Sequence, residues 1–134
     1  MITVLDASAA VAIAMNLTES TRFQQQIEIS DLVITPDLFV AEVSNAVWKY
    51  VKAGVVDSVQ GDLILDRAVG LVDTFETSLN LYREAYALSV DHLHPVYDAL
   101  YLVLARRNNA VLTTRDRRLA LLAAKLQIKI LNMA

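Results

Sequence analysis

Ile2-Thr3-Val4-Leu5-Asp6-Ala7-Ser8 decides how the rest of the chain is read. The apolar, branched run up to Leu5 has the composition of a strand buried on both faces. Asp6-Ala7-Ser8 follows, and then an alanine-rich stretch to about Met15 with high helix propensity. The same alternation continues downstream. Thr18-Glu19-Ser20 opens a helix to about Ile29, and Leu32-Val33-Ile34 is a second short strand. Pro36 starts a long helix, tolerated there because a first-turn N–H is unpaired anyway. In it Leu38, Phe39, Val43, Ala46, Val47, Tyr50 and Val51 recur at helical spacing, and Gly54 ends it. Asp57 or Ser58 caps a helix to about Gly70, and Leu71-Val72-Asp73-Thr74 reads as a third strand. A helix over 79–90 carries Leu81, Ala85 and Leu88 on one face. After His92-Leu93-His94-Pro95 comes a helix over 96–108, and Asn109 turns the chain into the strand Ala110-Val111-Leu112. Thr113 to Asp116 leads into a helix to about Leu126, and Ile128-Lys129-Ile130 is the last strand. Apolar strands alternating with helices predict an α/β fold, a three-layer α/β/α sandwich around a short central parallel sheet.

The chain has 134 residues, the size of one domain with its own core, placed at 1–134. It has no cysteine, which excludes a disulfide framework, a thiolate nucleophile and a cysteine-bound zinc. No targeting segment is expected: the start lacks a basic region, Asp6 breaks the apolar run, and 9–15 is too short to span a bilayer. We therefore expect a soluble, cytoplasmic protein with no membrane partner. Hydrophobic residues make up 55% and mean hydropathy is +0.40, more apolar surface than a domain this small hides alone. That balance predicts a homodimer, with helices over 59–71 and 79–88 in need of cover. A net charge of −3 argues against a generic nucleic-acid binder, unless several acids hold a cation that reverses the local sign.

In an open parallel sheet, ligands bind beyond the carboxyl ends of the strands. Asp6 falls there directly after the first strand, and Asp116 a few residues after Leu112. Asp98 falls in the first turn of a helix, and Glu42 lies inside one, on a stripe with Asn45 and Lys49. Each also has a plain structural reading. Asp6 and Asp116 suit helix N-caps, Asp98 suits the helix dipole, and Glu42 suits a solvated face. Taken singly, the positions leave both readings open. Their neighbours shift the balance: Tyr97-Asp98-Ala99-Leu100-Tyr101-Leu102-Val103-Leu104-Ala105 is apolar nearly all round, and Phe39 to Trp48 is mostly apolar. Such helices are buried, a buried carboxylate needs a partner, and no lysine or arginine is close to Asp98 in sequence.

The chain resembles the PIN-domain nucleases, and among them the VapC-type toxins of toxin–antitoxin systems. Four pieces carry the resemblance: Val4-Leu5-Asp6-Ala7-Ser8, Glu42-Val43-Ser44-Asn45-Ala46, Tyr97 to Ala105, and Leu112-Thr113-Thr114-Arg115-Asp116. They occur in the family's order and spacing across essentially the whole chain, with no departure at the four acids. The resemblance implies that Asp6, Glu42, Asp98 and Asp116 are metal-binding and catalytic, with Asp6 and Asp98 the main direct ligands. It implies that the hydroxyls of Ser8 and Thr114 support the cluster, and that Asn45 is its polar neighbour one turn after the glutamate. It implies hydrolysis of RNA phosphodiester bonds leaving a 5′-phosphate and a 3′-hydroxyl. It also implies a homodimer and a cognate antitoxin, whose C-terminal segment would put a basic side chain into the pocket and pack apolar residues around Phe39 and Val43.

An oxygen-only donor set selects a hard cation, Mg²⁺ or Mn²⁺. Two carboxylates about 4 Å apart repel by about 4 kcal/mol at an effective dielectric of ~20, so four acids stay ionised together only around such a cation. No covalent nucleophile is then needed. Arg115 and Arg117 bracket Asp116 and are expected to meet the RNA backbone, with Arg106, Arg107, Arg118 and Lys125 nearby in the chain. His92 and His94 are expected to be structural or exposed. Trp48, Tyr50, Tyr97 and Tyr101 are expected in core or interface rather than as base-stacking platforms. A phosphoacceptor receiver domain would want paired acids after the first strand and a lysine after Leu112, and neither is present. A PIN-like domain that binds without cutting, and an RNA-processing nuclease outside a toxin pair, are the remaining alternatives; the compact chain with no appended domain favours the toxin.

Overall fold

Strands β1 (Ile2–Leu5), β2 (Leu32–Pro36), β3 (Thr74–Glu76), β4 (Val111–Thr114) and β5 (Ile130–Asn132) form one parallel sheet in the order β3-β2-β1-β4-β5. The structure is a computed structural model and describes residues 1–132. The chain runs outward from β1 through β2 to β3, then crosses to the other side of β1 for β4 and β5. That reversal opens a crevice beyond the carboxyl ends of β1 and β4, where Leu5 pairs with Thr113.

Alternation along the strands explains the layers. Leu5 and Val33 point into one core, with Phe39, Val43 and Ile64, under α1 (Ala7–Ala14), α3 (Leu38–Lys52) and α4 (Ser58–Val69). Val4, Ile34 and Leu112 point into the other, under α5 (Tyr82–His92), α6 (Val96–Asn108) and α7 (Arg117–Lys125). Helix α2 (Thr21–Ile29) anchors on the first core through Phe23. The expected three-layer sandwich is thus the observed one. In α6 every residue from Ala99 to Ala105 is buried, so Asp98 opens a helix laid against the sheet.

The departures from the expected elements are local and have visible causes. The third strand is Thr74–Glu76, not 71–74. Asp73 meets β2 first, its backbone N–H donating to the Val33 carbonyl (2.9 Å) and its carboxylate accepting from the Val33 N–H (2.8 Å). The last strand is Ile130–Asn132, not 128–130. Thr18–Ser20 and Ser78–Asn80 form 3₁₀ turns, so α2 begins at Thr21 rather than Thr18 and α5 at Tyr82 rather than Leu79. Asp57 is the cap of α4, in a capping box with Gln60. Gly54, at φ +75°, leads the chain out of α3 in the left-handed region that glycine tolerates best. No described helix is long and apolar enough to cross a membrane.

Candidate active site

The four acids come from separate elements, and Glu42 is close enough to the other three to interact with each of them electrostatically. Asp6 follows β1 directly and caps α1. Its Oδ1 accepts from the Ala9 N–H (2.9 Å) and from Ser8 Oγ (2.7 Å), and its Oδ2 accepts from the Thr114 hydroxyl. The two hydroxyls have second tasks. Ser8 Oγ accepts from the Arg115 N–H and Thr114 Oγ1 from the Asp116 N–H, each at 2.9 Å. The turn after β4 is therefore pinned to Asp6 through Ser8 and Thr114. Asp6 is only 5% exposed. Its pKa is raised to about 6, chiefly by burial and also by the Glu42 charge, against three hydrogen bonds that lower it.

Asp116 caps α7. Its Oδ1 takes both cap bonds, from the Arg118 N–H (2.9 Å) and the Leu119 N–H (3.1 Å). Asp98, in the first turn of α6, is bonded through Oδ2 to His94 Nε2 at 2.8 Å. Glu42 reaches in from α3, where its Oε1 accepts from the Tyr101 hydroxyl at 2.6 Å. Its pKa is raised by burial, against the Tyr101 bond, and then by the charges of Asp98 and Asp116. Glu42 thus feels all three other acids, since Asp6 responds to it in turn. Tyr101, buried beside Glu42, has its own ionisation pushed far upward by burial and by that carboxylate.

Among the described residues no lysine or arginine forms an ion pair with Asp6, Glu42, Asp98 or Asp116. Nor do any three histidines or acids there stand close enough to enclose an ion as they are. The fit to a cation lies in the donor type and in the mutual repulsion, both of which ask for a hard positive charge.

Other expected residues fall differently. Asn45 is exposed and lines a groove with Leu38, Ala41, Glu42 and Tyr97, without a hydrogen bond to the acids. The Arg115 guanidinium is held by Glu19 Oε1 at 2.6 Å, whereas Arg117 is exposed and makes no ion pair among the described residues. Phe39 and Val43 are fully buried in the first core, so they cannot be the surface that a partner packs on. The open face of α3 beside the site is instead Leu38, Ala41 and Asn45. Trp48 and Tyr97 are exposed rather than core, and Lys52 lies over the Trp48 ring. Two partners escaped the sequence reading, His94 for Asp98 and Tyr101 for Glu42. The first was signalled by i,i+4 spacing. The second pairs residues 59 apart and had no local signal.

The chain is 29% identical over 119 residues to Ribonuclease VapC3 of Pyrobaculum aerophilum, covering 87% of this chain and 91% of that protein. The crystal structure of PAE2754 from Pyrobaculum aerophilum superposes with a TM-score of 0.77 at 25% identity, over 99% of this chain and 90% of that one. The structure of VapBC2 from Rickettsia felis bound to a DNA fragment from their promoter shares the fold, with a TM-score of 0.68 at 16% identity over all of both chains. The PIN domain pattern matches residues 3–125, which include all four acids. The chain belongs to the PIN-domain family.

Proposed function

We propose that the protein is a metal-dependent endoribonuclease, the toxin of a VapC-type toxin–antitoxin pair acting in the cytoplasm, with residues 1–134 working as one domain. The observation that carries this reading is the electrostatic coupling of Glu42 to Asp6, Asp98 and Asp116 with no lysine or arginine bound to any of them among the described residues. The 29% identity to a protein named as a ribonuclease supports the reaction class. Bound Mg²⁺ or Mn²⁺ would supply Lewis acidity, offsetting charge on the phosphoryl oxygens and acidifying a water.

The chain's own residues do the rest. Asp6 and Asp98 would be the principal ligands, with Glu42 and Asp116 completing the set. Ser8 and Thr114 hold the Asp6 carboxylate in place, so its direction is set before any ligand arrives. Arg117 is free to meet a phosphate of the RNA backbone; Arg115 would have to exchange Glu19 for it. The test is cleavage of RNA with Mg²⁺, with Mn²⁺ and in EDTA, with the products checked for 5′-phosphate ends. Binding without cutting in every metal would leave a non-cleaving PIN-like protein.

Two partners belong to this reading. The exposed stripe Leu79, Tyr82, Tyr86 and Val90, together with Val59 and Leu63 on α4, supports a homodimer. Sedimentation that shows only a monomer of 14.8 kDa at micromolar concentration sinks it. The groove of Leu38, Ala41 and Tyr97 next to Glu42 suits an antitoxin segment that lays apolar side chains along α3 and directs a basic one at the acids. Expression of the chain alone should then arrest growth, and co-expression with the product of an adjacent small reading frame should relieve it.

A further inference from the structure

We infer that Tyr101 is a positioning residue: its buried hydroxyl fixes Glu42 in the crevice and thereby sets the affinity of the acid cluster for its cation. The inference rests on the nuclease reading for its second half and on the geometry alone for its first. Tyr101 sits three residues after Asp98 on α6, so the two side chains leave the same face of one rigid helix. Asp98 contributes a carboxylate there. Tyr101 reaches across to α3 and donates its proton to Glu42 Oε1 at 2.6 Å.

Packing does not require a tyrosine at this position. Its neighbours Ala99, Leu100, Leu102, Val103, Leu104 and Ala105 are all buried and apolar, and phenylalanine would fill the same space. A phenol in such surroundings is tolerated only with partners for its hydroxyl, and here the Thr35 hydroxyl lies beside it while its proton goes to a carboxylate of the site. The consequence for Glu42 is larger. A glutamate has three side-chain torsions to order, and Glu42 is held in a half-buried position among like charges. The Tyr101 bond engages one carboxylate oxygen and leaves Oε2 without a hydrogen bond among the described residues. Asp98 and Asp116 show the same division: one oxygen is held, by His94 and by backbone N–H groups respectively. Tyr101 is 2% exposed, so it does not touch a substrate and acts through Glu42.

The experiment compares wild type, Tyr101→Phe, Glu42→Ala and the double variant. Mn²⁺ binding is titrated by calorimetry without RNA, and kcat and KM are measured on a short RNA. Thermal melts in EDTA confirm folding, and phenylalanine keeps the packing. We expect Tyr101→Phe to weaken Mn²⁺ binding threefold to tenfold and to lower kcat at least tenfold, with KM within twofold of wild type. The double variant should be no worse than Glu42→Ala alone, because Tyr101 then has no side chain left to position. Mn²⁺ affinity and kcat both within twofold of wild type in Tyr101→Phe overturn the inference while the nuclease reading stands. So does a double variant whose losses multiply. A wild type that binds Mn²⁺ but cuts no RNA removes the nuclease reading and leaves the inference to stand or fall on the Mn²⁺ titration. A wild type that binds no Mn²⁺ defeats both.

Discussion

Asp6→Asn is the perturbation that separates a helix cap from a carboxylate kept charged against its surroundings. Asparagine caps a helix as well as aspartate does, so the bond from the Ala9 N–H survives. What changes is the charge. The Asp6 pKa is raised from 3.8 to about 6, chiefly by burial. The folded protein therefore holds this proton more tightly than the unfolded chain. The group's contribution to stability is complete below pH 3.8, falls as pH rises between 3.8 and about 6, and is level above that. A shift of this size corresponds to about 3 kcal/mol, of which roughly 2 are lost between pH 4.5 and pH 7.5. Against this, the hydroxyl of Ser8 or Thr114 that meets the amide nitrogen loses its acceptor, at a cost of about 1 kcal/mol. In EDTA at pH 7.5 the variant should match wild type or exceed it by about 2 kcal/mol. At pH 4.5 that advantage should shrink to nothing or reverse. Urea unfolding followed by circular dichroism at both pH values measures the difference between the two proteins. Taking that difference cancels carboxylates that do not interact with Asp6, including Glu84. Should the two proteins differ by the same amount at both pH values, Asp6 is a cap and nothing more, since asparagine caps equally well and only a charge held against its surroundings makes the difference depend on pH.

Asp98→Asn and Asp116→Asn should reduce RNA cleavage by orders of magnitude, since ligands of one ion act as a unit. Added Mg²⁺ should raise the melting temperature of wild type by mass action and of these variants much less, which differential scanning fluorimetry reads directly. Arg117→Ala should weaken RNA binding and flatten its salt dependence more than Arg115→Ala does, because Arg115 already holds Glu19; fluorescence anisotropy across a salt series compares them. Glu84→Ala removes bonds from both Arg106 and Arg107, which tie α5 to α6 at a partly exposed site. Chemical denaturation should find a loss of less than about 1 kcal/mol, with cleavage unchanged.

How far the site could be read in advance depends on how each residue is brought to it. Asp6 stands immediately after a buried strand and Asp116 two residues after another, and in a parallel sheet that place in the sequence is a place in space. Asp98 stood out as an acid opening an apolar helix. Glu42 is different: from its own spacing it could equally have lain on a solvated face, and the family resemblance marked it out. Its partner Tyr101 lies across a helix interface that only tertiary packing creates. The periodicity of α3 identified Phe39 and Val43 as apolar without saying whether that face met the sheet or a partner, and it meets the core. Tyr97 and Trp48 sit in apolar stretches yet emerge on the surface, because a helix packed on one side buries only part of its circumference. The third and fifth strands shifted by two or three residues because both lie at the edges of the sheet. There a single strand neighbour fixes the pairing, and side-chain bonds such as Asp73 to Val33 substitute for it.

The cap and ligand readings of the acids are not rivals in this fold. When a helix follows a parallel strand at once, its N-cap is also the residue at the carboxyl end of that strand. Asp6 and Asp116 hold both positions together. Capping takes one carboxylate oxygen, as it does at Asp116 Oδ1, and fixes the side chain without spending the other. The same backbone N–H groups favour the anionic form, while burial and the neighbouring acids oppose it. At Asp6 these opposing effects balance near pH 6, so at neutral pH the carboxylate is charged in a place that resists charge. A proton or a cation can relieve that resistance, and above pH 6 protons are scarce. Cation affinity should therefore climb with pH up to about 6 and then level off. Calorimetric Mn²⁺ titrations from pH 5 to pH 8 provide the check. An affinity independent of pH over that range would mean that the cation does not displace the proton held at Asp6.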